Sequence, residues 1–191
     1  MSIEKTRTTK ETEIRLKLDL YGSGQSRIET GVGFFDHMLD ALARHALLDL
    51  ELSCRGDLHV DAHHTVEDVG IVLGQALGEA IYPVKGLERF GNGVVVMDEA
   101  AVACDIDLSR RAYLVFELPV EGKVGDFDTE LAEEFFRALV FNLPMTCHLV
   151  AQRGRNRHHL IEASFKALAL ALRRAVTPNE RIGIPSTKGV L

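Results

Sequence analysis

The feature that most constrains this chain is an internal duplication. "DAHHTVEDVG" starts at Asp61 and "NRHHLIEASF" at Asn156, so His-His-x-x-Glu is written twice, ninety-five residues apart. Superposing His63 and His64 on His158 and His159 lays Glu67 over Glu162, Leu73 over Leu168, Ala76 over Ala171, Leu77 over Leu172 and Ala80 over Ala175. Agreement at helical spacing over about four turns marks a repeated helix rather than a repeated short motif.

The correspondence continues upstream with altered loop lengths. "KETEIRLKLDL" resembles "DEAAVACDIDL", both alternating as strands do, with Glu11 over Glu99 and Asp19 over Asp107. Turns lead into second strands at "YGSGQSRIET" and "SRRAYLVFEL". Amphipathic helices follow at "FFDHMLDALARHA" and "TELAEEFFRALVFNL", then third strands ending at Gly56 and Gly154. Each half reads roughly strand-strand-helix-strand-helix, with a further strand around "GNGVVVM". Such a half has too small a core to stand comfortably alone. The expected fold is therefore α+β: two duplicated half-domains, each a small mixed or antiparallel sheet packed on two helices, joined in one compact unit. Pro83 and Gly86 end the long helix of the first half, which places the halves at 1–87 and 88–191.

Composition narrows the function. A net charge of −6 speaks against a nucleic-acid or anionic-membrane surface, which calls for a basic face. No apolar run approaches transmembrane length, and the N-terminus has no apolar signal core. Cys54, Cys104 and Cys147 are too far apart for a CxxC motif and read as buried, reduced thiols of a cytoplasmic protein.

The histidine pairs point to metal. Adjacent helical residues diverge by about 100°, whereas positions three or four apart share a face. Each pair therefore offers one imidazole beside its glutamate and another aimed elsewhere, toward a second ion. With His37 and His148, the set is His37, His63, His64, His148, His158 and His159 with Glu67 and Glu162. Imidazole and carboxylate without thiolate suit a borderline to hard divalent ion with open positions, Mn²⁺ being the choice. Asp61 and Asn156 stand where they can cap the two helices.

"FFDHMLDALARH", "DAHHTVEDVGIVLGQAL", "NRHHLIEASFKALALALR" and the terminal "PSTKGVL" together resemble the imidazoleglycerol-phosphate dehydratases. The resemblance runs from Thr9 to the last residue, and departs in the stretch before Met97, where family members carry a longer Gly-, Ser- and Pro-containing segment. It implies a half-domain like the second domain of ribosomal protein S5, two Mn²⁺ per site, and trimers joined into a 24-subunit shell with sites at subunit boundaries. It also implies a monofunctional hydro-lyase of histidine biosynthesis, converting imidazole glycerol phosphate to imidazole acetol phosphate. Two metals on the ring nitrogens would stabilise an imidazolate, whose electrons expel the hydroxyl to give a diazafulvene-like intermediate.

Within that resemblance Glu11 and Glu162 are assigned to proton transfer and Glu67 mainly to ligation. His45 and Lys166 are expected to touch substrate. Arg89, Arg111, Ser186 and Lys188 match the family's phosphate contacts. Arg110 and Arg111, read as strand neighbours, point to opposite faces, and the family match selects Arg111. A dinuclear hydrolase and a metal-storage shell are the rival readings; the first would carry aspartate-rich metal motifs, and the second would need no cationic phosphate pocket.

Overall fold

A computed structural model describes residues 2–189, so the final Val190 and Leu191 of the "PSTKGVL" stretch lie outside the described residues. The first half runs β1 (Ser2–Thr8), β2 (Thr12–Asp19), β3 (Ser26–Glu29), α1 (Gly33–Ala46), β4 (Asp49–Gly56) and α2 (His63–Ile81). The second runs β5 (Phe90–Met97), β6 (Ala100–Asp107), β7 (Tyr113–Glu117), a small hairpin of β8 (Lys123–Val124) and β9 (Phe127–Asp128), then α3 (Glu130–Asn142), β10 (Thr146–Arg153) and α4 (Arg157–Ala175).

The two sheets have one topology. Their orders are β1-β2-β4-β3 and β5-β6-β10-β7, and in each the last-named pair is parallel and the others antiparallel. The parallel pair is joined through a helix, α1 in one half and α3 in the other, as a parallel connection requires. Among the described residues the fold is α+β, with two four-stranded sheets, the two-stranded β8–β9 hairpin and four helices.

One strand escaped the sequence pattern. "SIEKTRT" forms β1, although Ile3 is its one fully buried side chain. The ladder to β2 and two ion pairs to α2, Lys5 to Glu79 at 2.5 Å and Arg7 to Asp68 at 2.9 Å, hold it in place. Charged side chains on such an edge also discourage pairing with foreign strands. The stretch "FGNGVVVM", where the family resemblance departs, is the regular strand β5.

Strand alternation places the core. Ile14, Leu16 and Leu18 of β2, and Leu50, Leu52 and Cys54 of β4, are buried against the helices, while the residues between them face out. The helices then pair across the duplication: α1 packs on α4 and α2 on α3. Neither half keeps its helices to itself. In the second pair the backbones approach closely: a Cβ on Gly70 would lie 2.9 Å from Ala138 Cβ, and one on Gly74 would lie 2.7 Å from Leu139 O. All three cysteines are buried and free.

A side chain at Gly74 must push α3 away, and overpacking of this kind costs about 1–3 kcal/mol. Gly74→Val is expected to lower the urea midpoint accordingly, whereas Gly125→Asn, at an open turn with φ 58° where asparagine is tolerated, changes it little. Equal midpoints for both variants would contradict the close helix pairing.

Candidate active site

The helix pairs run parallel, so their starts meet. Phe34 at the start of α1 packs 5.1 Å from the ring of Phe127, just ahead of α3, and meets His158 of α4 edge-on at 5.1 Å. A groove there is lined by the 31–34 segment, Leu58, Val60, Asp61, Ala62, the β8–β9 hairpin and Leu131 of α3. Helix N-termini carry partial positive charge from unpaired amides, which favours carboxylates placed beside them.

At the joint start of α1 and α4, His37, His158 and Glu162 offer ligand atoms that all lie within 4.8 Å of one another. Glu162 Oε2 stands 2.9 Å from His158 Nε2 and 3.4 Å from His37 Nε2, and its other oxygen accepts from Lys166 Nζ at 2.6 Å. Burial pushes the Glu162 carboxyl up, but Lys166 and His158 outweigh it and hold the group below the ordinary glutamate value. A buried, charged carboxylate with two imidazoles fits a divalent cation, and no thiolate competes.

The second histidine of each pair is held by a carboxylate through Nδ1. His64 Nδ1 lies 3.0 Å from Asp57 Oδ2, which raises the pKa of His64, and His159 Nδ1 lies 2.8 Å from Glu99 Oε2. Carboxylates in this position fix an imidazole's tautomer and leave Nε2 to face outward. Within each pair the rings stand nearly perpendicular, at 88° for His63 and His64 and 79° for His158 and His159, so neighbours do diverge. Asn156 caps α4 by accepting from the amides of His158 and His159, and Asp61 accepts from the His63 amide at 2.8 Å.

Glu11 lies in the β1–β2 turn, with Oε1 3.8 Å from His64 Nε2. His45 sits near the end of α1; partial burial, then Lys166 and Arg173, lower its pKa and keep it neutral. Cys147 and Leu149 point into the core, so His148 is exposed on the outer face of the second sheet, across from Asp105, where within one chain it stands apart from the other histidines.

The cationic residues gather at the other end of the molecule. Arg89, at φ 68°, donates Nε and Nη2 to Asp107 at 2.7 and 3.1 Å and Nη1 to the Pro185 carbonyl at 2.5 Å. Arg111 Nη2 stands 3.6 Å from the same Asp107. Pro185 brings in the tail, where Ser186 Oγ accepts from the Lys188 amide. Arg110 turns away and lies over the Tyr82 ring at 4.9 Å; both arginines precede β7 in a turn rather than sitting in a strand.

A family model described as imidazoleglycerol-phosphate dehydratase matches residues 30–172. The chain belongs to that family. An imidazoleglycerol-phosphate dehydratase of a Sulfurovum species is 70% identical over 189 residues, covering 99% of this chain and 100% of the relative. One from Wolinella succinogenes is 67% identical over 188 residues, covering 98% and 99%. The crystal structure of the Staphylococcus aureus dehydratase superposes with a TM-score of 0.85 at 42% identity, covering 94% of this chain and all of that one. That from Pyrococcus furiosus gives 0.86 at 38%, covering 98% and 100%.

Set in this dehydratase family, the duplication also exposes residues that the motifs pass over. Laying α1 on α3 (Met38 over Phe135, Leu39 over Phe136, Leu42 over Leu139) puts Glu134 where His37 stands. Glu134 is therefore the sequence counterpart of His37, though in the structure its carboxylate faces Arg137 Nε at 3.9 Å. Asp57 and Asp107 carry no motif; only the fold brings them to His64 and to the arginines.

The hydrogen bonds of Glu99 have a consequence for pH. His159, then the Asn156 and Arg155 amides, hold its carboxyl at about 2 rather than 4.5. A depressed carboxyl contributes stability above its unfolded value that is lost as pH falls toward the folded one. In metal-free protein, denaturant midpoints of wild type and Glu99→Gln should differ at pH 6 and converge between pH 4.5 and about 2. A constant difference down to the low end would contradict the assigned bonds.

Proposed function

We propose that this chain dehydrates imidazole glycerol phosphate to imidazole acetol phosphate in histidine biosynthesis, as a cytoplasmic Mn²⁺-dependent hydro-lyase. The observation that carries the reading is the His37–His158–Glu162 group at the joined helix starts, in a chain of this family. Among the described residues no helix is long and apolar enough to cross a membrane.

His37, His158 and Glu162, with His64 and His159 oriented through Nδ1, would hold the ions, and His63, Glu67 and His148 would supply the further donors. Divalent ions bound there supply Lewis-acid polarisation of the substrate's ring nitrogens. The chain's own residues do the rest. Glu11, half exposed and next to His64, accepts the carbon-bound proton. Glu162, kept charged by Lys166, takes the proton that the substrate's imidazole N–H gives up and passes it to the departing hydroxyl, which leaves as water. Arg89 and Arg111 present donors to the phosphate, joined by Ser186 and Lys188 from the tail. Asp107 holds both guanidinium groups in place until the phosphate arrives.

One chain cannot complete this site. From His159 to Ala175, whose carbonyl accepts from the Arg89 amide, α4 extends over sixteen residues, about 24 Å at 1.5 Å per residue. Fewer than ten bonded atoms separate the substrate's ring from its phosphate, a reach of about 10 Å or less. In this reading, metal groups and phosphate cations therefore come from different copies. This supports sites at subunit boundaries, and with them the trimers and 24-subunit shell of the reading.

The test is complementation. Glu162→Gln and Arg111→Ala chains should each be inactive or carry a strongly raised KM alone. Dissociated and reassembled at equal ratio, they should recover activity in about a quarter of the sites, those drawing intact groups from both chains. The product should be the dehydrated phosphate ester with no free phosphate. Failure to recover activity, or release of phosphate, would count against the proposal.

A further inference from the structure

The turn carrying Glu11 is built differently from its counterpart in the second half. Glu99, which the duplication lays over Glu11, uses both carboxylate oxygens inside the fold: Oε1 accepts from the Arg155 and Asn156 amides at 3.0 and 2.7 Å, and Oε2 faces His159. Glu11 keeps its carboxylate out of such bonds. Its side chain is 52% exposed, and among the described residues its one ionic neighbour is His64.

The Glu11 backbone is nonetheless fixed, and from behind. Thr9 Oγ1 accepts from the amides of Glu11 and Thr12 at 3.1 and 3.0 Å, and the Glu11 carbonyl accepts from the Asp57 amide at 3.1 Å. Thr12 Oγ1 then donates to Asp68 Oδ2 of α2 at 2.5 Å, while Arg7 Nε and Nη2 donate to Asp68 Oδ1 at 3.2 and 2.9 Å. Thr12 and Asp68 are 3% and 5% exposed. Burying a carboxylate is costly, and a buried ion pair is weak evidence of a gain in stability. The second half shows that packing at this place needs no charge: Ala100 stands for Thr12 and Ala163 for Asp68, both fully buried.

We propose that Asp68 and Thr12, braced by Arg7, are positioning residues for Glu11. They lock the β1–β2 turn onto α2, one residue from Glu67 and one turn from His64, so that the Glu11 carboxylate is presented at a set place while remaining free to take a proton. The two duplicated glutamates have thus parted in role: Glu99 anchors its own turn by its side chain, and Glu11 is anchored by its neighbours. The proposal rests on the reading of Glu11 as the substrate-facing carboxylate.

Thr12→Val keeps the shape of the side chain and removes the hydroxyl; Thr12→Ser keeps the hydroxyl. With Glu11 displaced but substrate binding intact, Thr12→Val should lower kcat roughly ten- to a hundredfold with KM nearly unchanged. Thr12→Ser should restore kcat to within about threefold, and Asp68→Asn should fall between them. Melting temperature and assembly size are followed in parallel. A Thr12→Val enzyme with undiminished kcat would overturn the proposal. So would equal losses in Thr12→Val and Thr12→Ser that track melting temperature, since that pattern belongs to a purely structural threonine. Glu11→Gln is measured beside them. Full activity there removes the role of Glu11 itself, whereas loss of activity there with an inert Thr12→Val removes only the positioning claim.

Discussion

The structure depends on helices pairing across the duplication. Each half supplies one face of an interface that it cannot complete, so α1 must find α4 and α2 must find α3. Burial drives this: Phe35, Met38, Leu39 and Leu42 of α1 and Phe165, Leu168 and Leu172 of α4 are all removed from water. The same contact builds the site. His37 belongs to one half, and His158 and Glu162 to the other; they meet because the helix pair is parallel and in register. Core and candidate metal group are thus consequences of one packing decision, and a chain that loses the pairing loses both.

Electrostatics is layered onto that frame with opposite intent at the two ends. At the helix starts, Lys166 and then His158 hold the Glu162 carboxyl below the ordinary glutamate value despite its burial, leaving an acidic, imidazole-rich surface for cations. At the far end, Asp107 holds Arg89 and Arg111 together, and Arg89 in turn pins the tail through the Pro185 carbonyl. The length of α4 separates the two chemistries, which is why an assembly, rather than a single chain, completes the site in this account.

Much of this was legible in the sequence, for identifiable reasons. Long amphipathic helices and paired His-His-x-x-Glu starts carry their signal in periodicity, and the four helices lie where the pattern put them. The β1 strand was not legible because its alternation is polar on both faces and its partners, Glu79 and Asp68, lie on a helix more than sixty residues away. His148 was readable too: flanked by the buried Cys147 and Leu149, strand parity turns it outward. Asp57, Asp68 and Asp107 could not be found from motifs at all. An aspartate's role as a brace is defined by what the fold sets beside it, and sequence spacing holds no record of that.

The central claim is that side chains from both halves jointly bind a divalent cation at the helix starts. Mn²⁺ titration of the demetallated protein, followed by loss of the free-ion electron paramagnetic resonance signal, addresses it directly. The account predicts tight, saturable uptake that Glu162→Gln and His37→Ala each diminish, though the two residues come from different halves and both variants remain folded. Uptake unchanged in affinity and stoichiometry by both substitutions would contradict it.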